Sequence, residues 1–72
     1  MIRDVAIADD MIRLGQLLQL AAIADSGSDA KLLLAGGEVE VNGEPETRRG
    51  RQLHRGDVVF VLGERLRIVS SG

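Results

Sequence analysis

Four arginines with a clear chemical potential fall within eight consecutive positions of the chain. They are Arg48, Arg49, Arg51 and Arg55. A guanidinium group is planar, stays charged at physiological pH and can donate to two oxygens of one phosphate. No lysine occurs in the cluster, although lysine would serve where only charge is needed. The residue types and their spacing therefore predict a surface that binds phosphate groups.

The cluster is locally positive in a chain that is acidic as a whole, with a formal net charge of −2. Residues 1–30 and 31–47 each sum to −3, whereas residues 48–57 sum to +3 and residues 58–72 to +1. A local field of this kind can attract an anion despite the negative total. Two other interpretations stay open. The arginines could guard a strand edge against aggregation, or Glu44 and Glu46 could neutralise Arg48 and Arg49 through internal salt bridges.

The remaining residues offer little for catalysis or metal binding. His54 is the only histidine, and no hydroxyl residue forms a recognisable triad with it. The chain has no cysteine, and its carboxylates lack the spacing of a metal-binding loop. No apolar run approaches the roughly 20 residues of a membrane span. We therefore expect a non-enzymatic, cytoplasmic protein without cofactor, metal, membrane contact or small-molecule substrate.

Hydrophobic periodicity predicts two helices ahead of the arginines. The apolar stripe of the first consists of Leu14, Leu17, Leu18, Ala21 and Ala22. Its start is open: Asp9 or Asp10 could cap it, or residues 12–14 could still be extended. Residues 25–28 break this helix and offer a cap for a second short helix. Gly36-Gly37 ends the second helix, because glycine accepts the left-handed conformation.

The second half of the chain alternates with a period of two, which predicts strands. Val39 and Val41 share one face of a strand, and Asn42-Gly43 suits a two-residue type I′ turn that needs positive φ at both positions. The remaining expected elements are a short first strand at 5–7, the return strand at 46–53 with an interruption at Arg49-Gly50, a turn at 54–57, and strands at 58–62 and 66–69. The fold class is therefore α+β: a short helix pair packed on a small, largely antiparallel sheet of about four or five strands. We expect one domain over residues 1–72.

These features together resemble a known family, the RNA-binding domain of bacterial small-subunit ribosomal protein four, whose fold is the alpha-L motif. The likeness rests on the helix pair, on Val39-Glu40-Val41-Asn42-Gly43, and on Gly56-Asp57 before an apolar strand. The run Glu44-Pro45-Glu46-Thr47-Arg48-Arg49-Gly50 is similar to the small stand-alone bacterial branch of the family. Further matches are Leu14-Gly15-Gln16, Ser26-Gly27 and Ala30-Lys31. The resemblance covers about residues 12–69.

The resemblance implies a non-catalytic protein that binds structured RNA, with ribosomal or transfer RNA as the expected target. Carried over by position, it implies RNA contacts from Lys31, Arg48, Arg49, Arg51 and Arg55. Two residues depart from the branch pattern. Gln19 stands where lysine is usual and removes a charge, and Pro45 cannot donate a ladder hydrogen bond but should be tolerated on an edge strand.

The only aromatic residue, Phe60, lies in an apolar run and is expected in the core. Proteins that read single-stranded nucleic acid usually stack bases on aromatic side chains. We therefore expect recognition by shape and phosphate contacts rather than by stacking. The alternative function is a small protein–protein adaptor, in a ribosome-associated setting or outside one, that docks through Glu38 and Glu40 or through the apolar helices.

Overall fold

The computed structural model describes residues 2–71, in which seven strands and two helices occur. In chain order they are β1 (Ile2–Ile7), β2 (Met11–Arg13), α1 (Leu14–Leu20), α2 (Gly27–Ala35), β3 (Val39–Val41), β4 (Glu44–Pro45), β5 (Gln52–His54), β6 (Val58–Val61) and β7 (Glu64–Ser70). Five strands form one sheet in the order β1-β7-β6-β3-β4, and β2 pairs with β5 in a separate ribbon. Only the β1–β7 pair of these described strands is parallel. The predicted α+β class and the largely antiparallel sheet are confirmed.

Both helices pack on one face of the five-stranded sheet. Alternate residues of the central strands point toward the helices, so that Val39, Val59 and Leu66 are completely buried. Leu14, Leu17 and Leu18 of α1 meet them in the same cluster. Leu53 of β5 is also fully buried there, which ties the two-stranded ribbon to the main core.

The helix ends settle the alternatives that the sequence left open. Residues 11–13 are extended in β2, so α1 starts at Leu14 and not at an aspartate cap. Ala22 has a φ of 61° just after α1, which places it outside the helix and exposed rather than on the buried stripe. The Ser26 side chain accepts a hydrogen bond from the Asp29 N–H at 3.2 Å and caps α2. Gly37, at a φ of 73°, follows the end of α2 as predicted.

The hairpin turn is confirmed, but the predicted return strand at 46–53 is wrong. Asn42 and Gly43 have φ values of 52° and 85°, as a type I′ turn requires. The strand that follows is only Glu44–Pro45, at the edge of the sheet, where a missing proline N–H is tolerated. Residues 46–51 form an irregular loop because the Glu46 side chain binds the next two backbone N–H groups. Residues 52–54 then pair with β2 instead of β3.

The expected core position of Phe60 is also wrong. Val59 and Val61 point into the core, so Phe60 between them points out of the opposite face and is 39% exposed. Its five-residue apolar run hid this alternation, because a run without polar residues does not show which face is solvated.

Candidate nucleic-acid interface

Residues 46–51, here called the arginine loop, are fixed against the start of α1. The Leu14 N–H donates to the Arg51 carbonyl at 2.9 Å, and the Gly15 N–H donates to the Arg49 carbonyl at 3.0 Å. The first N–H groups of a helix have no acceptor within the helix. The loop supplies those acceptors, so its backbone is held by the same bonds that complete α1.

Glu46 organises the backbone and two arginine side chains of the loop. It is only 7% exposed, and its carboxylate accepts five hydrogen bonds. Two come from the N–H groups of Thr47 and Arg48, both at 3.0 Å. The Arg48 guanidinium donates twice, at 3.1 and 3.0 Å, and Arg51 donates once at 2.9 Å. One carboxylate thus holds two of the predicted phosphate-binding arginines.

This network changes the ionisation of its members. The Arg48 side-chain and backbone hydrogen bonds, followed by that from Arg51, hold the pKa of Glu46 far below its usual range. The same Glu46 hydrogen bond raises the pKa of Arg48. Glu46 therefore stays ionised at neutral pH, and the three side chains together contribute a net charge of +1. The internal neutralisation that the sequence left open occurs for Glu46, with Arg48 and Arg51 as partners rather than Arg49. Glu44 joins no salt bridge among residues 2–71.

Arg49 is outside this network and points toward the helices. Its stem lies across Gly15, where an added Cβ would overlap with Arg49 Cγ. Its Nη1 lies 3.9 Å from the position that a Cβ on Gly27 would take, at the start of α2. No salt bridge of the described residues involves Arg49, and the residue is exposed. It is the one arginine of the loop whose charge is not offset by a carboxylate.

A shallow depression surrounds the Arg49 side chain between the two helices and the loop. The polar side chains that line the depression are those of Arg13, Gln16, Gln19 and Arg49. The rest of its lining is Gly15, Gly27 and Gly50, which have no side chains to fill it. Arg13 is exposed and forms no salt bridge within residues 2–71. The arrangement offers two guanidinium groups and two amides to an anion, and guanidinium and amide N–H groups are suitable donors to phosphate oxygens.

The other two predicted site residues differ in their relation to this depression. Lys31 is exposed and lies one helical turn after Gly27, so it belongs to the same side of α2 as the Arg49 guanidinium. Arg55 follows β5 at the end remote from the loop and forms an exposed 3.7 Å salt bridge with Asp10. Lys31 thus shares a side of α2 with Gly27 but does not line the depression, and Arg55 lies apart from it.

Sequence reasoning missed Arg13 and the two glycines that accommodate Arg49. Arg13, Gln16 and Gln19 recur every three residues, off the leucine stripe of α1, and this spacing could have indicated a polar face toward one partner. Gly15 carried a weaker signal as a glycine within a helix, which costs about 1 kcal/mol relative to alanine and often has a packing reason. Its reason here is the stem of Arg49.

Residues 2–71 contain neither a metal-binding cluster of side chains nor a helix that could span a membrane. No group of three or more His, Cys, Asp or Glu side chains is arranged to hold a metal ion. No helix is long and apolar enough to cross a membrane.

Comparisons with known proteins identify relatives of this chain. The profile of a family described as the S4 domain matches residues 5–69. The chain is 49% identical over 63 residues to the "Probable ribosome maturation protein RlbA" of Bacillus subtilis (strain 168), covering 88% of this chain and 89% of that protein. It is 34% identical over 59 residues to the "Putative RNA-binding protein YbcJ" of Escherichia coli (strain K12), covering 82% and 84%.

The fold also matches a solved structure. It is similar to the crystal structure of the 30S ribosomal protein S4e from Thermoplasma acidophilum, with a TM-score of 0.65 and 26% sequence identity. The match covers 85% of this chain but only 32% of that protein, so this chain corresponds to about a third of it.

Proposed function

The chain belongs to the S4 domain family, and we propose that it is a stand-alone, non-catalytic protein that binds the phosphate backbone of folded RNA. The names of the two bacterial relatives, which refer to ribosome maturation and RNA binding, support RNA as the partner and ribosomal RNA as its class. The matches cover 89% and 84% of those relatives, so the chain corresponds to most of the length of each. A cytoplasmic location follows from that partner.

The observation that carries the proposal is the placement of Arg49. Its charge has no carboxylate partner among the described residues, its stem is packed on Gly15, and its guanidinium reaches the start of α2. Such a side chain loses little further conformational freedom on binding, so more of its interaction with phosphate appears as affinity. Arg13 lines the same depression, and the exposed Lys31 lies one turn after Gly27 on α2, so both add positive charge on the helix side.

The other arginines have secondary parts in this proposal. Arg48 and Arg51 remain bound to Glu46, and Arg48, whose side chain is 72% exposed, can still present its outward N–H groups to a second phosphate. Arg55 contributes only long-range attraction, since it lies beyond the ribbon and is paired with Asp10. Recognition by shape and phosphate is retained, because the only aromatic residue lies on the opposite face of the sheet.

Removing Arg49 tests the proposal, with Arg65 as the matched control. Arg65 is also an exposed arginine without a salt bridge in the described chain, but it lies on the face of the sheet remote from the helices. Binding of a fluorescein-labelled RNA hairpin would be followed by anisotropy at protein concentrations where the wild type is monomeric. We expect Arg49→Ala to weaken binding by roughly tenfold and to reduce the salt slope by about 1. Arg65→Ala should bind like the wild type.

Equal affinities for Arg49→Ala and the wild type would contradict the proposal and favour the protein-adaptor function. A second pair of variants tests the placement of Arg49 without removing its charge. Gly15→Ala puts a Cβ against the Arg49 stem, whereas Gly36→Ala, just after α2 and outside the depression, makes only ordinary van der Waals contacts. We expect only Gly15→Ala to weaken RNA binding, with both variants folded by circular dichroism.

A further inference from the structure

A row of outward-facing side chains crosses the sheet on the face opposite the helices. Strand register places Pro45, Glu40, Phe60, Arg65 and Ile2 side by side, one from each strand of the sheet. Phe60 and Ile2 are 39% and 46% exposed. Four of these residues, with Val58, line one surface depression. Ile2, Val58 and Phe60 form one apolar patch within this depression, and a contiguous exposed apolar patch indicates a contact surface.

The row carries opposite charges on the two sides of its central residue. Phe60 is central, Glu40 lies on one side and Arg65 on the other, and apolar Pro45 and Ile2 occupy the ends. Neither Glu40 nor Arg65 forms a salt bridge within residues 2–71, whereas the neighbouring Arg67 is already paired with Asp4 at 2.9 Å. The outer row therefore contains one unpaired charge of each sign.

We propose that this face binds a second copy of the chain and forms a symmetric dimer. A two-fold axis parallel to β6 reverses the row, so Phe60 faces Phe60, Glu40 faces Arg65 of the second copy, and Pro45 faces Ile2. An isologous interface requires this self-complementarity. Val58, the next outward residue of β6, meets its own counterpart and extends the apolar centre. Two sheets packed face to face in this way form an arrangement common in β-sandwiches.

The same charges argue against RNA on this face. A phosphate attracted by Arg65 would also be repelled by Glu40 two strands away, and the Arg67–Asp4 pair adds no net charge.

Stable interfaces bury about 800 Å² per partner, which is a large share of a chain whose whole accessible surface is 4460 Å². Because one face of a small sheet limits the area of the interface, we expect the dimer to be weak and concentration-dependent. The arginine loops lie on the helix side of each copy and would stay accessible.

A charge-swap series measured by sedimentation equilibrium tests the dimer. The average mass of the wild type should rise toward that of two chains as concentration increases. Glu40→Arg places arginine opposite arginine, and Arg65→Glu places glutamate opposite glutamate, so each should raise the dissociation constant by roughly tenfold or more. The double variant Glu40→Arg/Arg65→Glu restores opposite charges and should return to the wild-type constant. Leu32→Ser is the control, because Leu32 is a more exposed apolar residue on α2, outside the row.

Circular dichroism of every variant separates misfolding from dissociation. A monomeric mass at all concentrations overturns the proposal, as does a double variant that is no better than either single one. Phe60→Ser provides the remaining comparison. If it leaves the mass unchanged but lowers affinity for the labelled RNA hairpin, this face is an RNA surface and the dimer is wrong. The dimer stands independently of the RNA proposal, since the Arg49 variants change RNA binding alone.

Discussion

At the scale of single residues, Glu46 determines which arginines are available. Because its pKa is held far below the usual range in the folded protein, ionised Glu46 stabilises the fold at pH values above the ordinary glutamate pKa of about 4.3. That stabilisation is lost as the pH falls below this value, toward the pKa of the folded protein. The buried carboxylate also anchors the backbone of the arginine loop. The loop should therefore become less stable in acid.

We predict that Glu46→Gln lowers the melting temperature at pH 7 and flattens its dependence on pH in the acid range. An amide cannot accept from all five donors as a carboxylate does, and it does not titrate. Thermal unfolding followed by circular dichroism between about pH 5 and pH 2 would measure this window. Glu44→Gln is the control, since Glu44 is exposed and unpaired among the described residues. Parallel curves for Glu46→Gln and the wild type would show that other carboxylates govern the acid response.

At the scale of elements, two turns are joined through one asparagine side chain. Asn42 donates from Nδ2 to the Asp57 carboxylate at 3.1 Å and accepts from the Val58 N–H at 3.0 Å. The Asp57 carboxylate also accepts from the His54 N–H at 2.8 Å, closing the turn before β6. The hairpin ahead of the arginine loop is thereby tied to the turn that follows β5, so the loop is bounded by two connected turns.

We predict that Asn42→Ala destabilises the protein by about 1–2 kcal/mol. It removes the two hydrogen bonds of the Asn42 side chain, and alanine disfavours the positive φ at this position. Asn42→Gly keeps the left-handed backbone and loses only the side-chain bonds, so its cost should be smaller. Urea unfolding of the three proteins measures both effects. If the alanine and glycine variants lose equal stability, backbone conformation contributes nothing and the side-chain bridge accounts for the whole effect.

The elements governed by local rules could be predicted from the sequence. The helix stripe, the Asn42-Gly43 turn and the glycine end of α2 each follow from residue type and spacing within a few positions. The pairing of β5 with β2 and the parallel contact of β1 with β7 join residues far apart in the chain, and no local pattern encodes them. The predicted core position of Phe60 was wrong for a related reason, because the strands that pair with β6 decide which of its faces is exposed to solvent.

The candidate site was predictable in its residue types but not in its internal pairing. A cluster of arginines beside two glutamates indicates phosphate binding and salt bridges equally well, and the sequence left both open. The structure divides them: Glu46 takes Arg48 and Arg51, and Arg49 turns toward the helices. That division depends on the short β4 strand, which ends at Pro45 and brings the Glu46 carboxylate to the backbone of the next two residues.

At the scale of the whole molecule, an acidic chain must bind a polyanion through a small cationic region. Each phosphate neutralised by a cation releases counterions, so the slope of log affinity against log salt counts effective contacts. Full use of all the predicted cations would involve five contacts. The structure indicates fewer, because Glu46 offsets one charge of the Arg48–Arg51 pair and Arg55 is paired with Asp10.

We predict about three to four effective contacts, from Arg13, Lys31, Arg49 and the net charge of the Glu46 network, and hence a slope of about −2 to −3.5. Anisotropy titrations of the RNA hairpin over a range of salt concentrations would give this value. Glu46→Gln should make the slope steeper, since both arginines would then act as full cations. A wild-type slope of about −4.5, the value for five full contacts, would mean that RNA displaces Glu46 from its arginines, and the variant would then match the wild type.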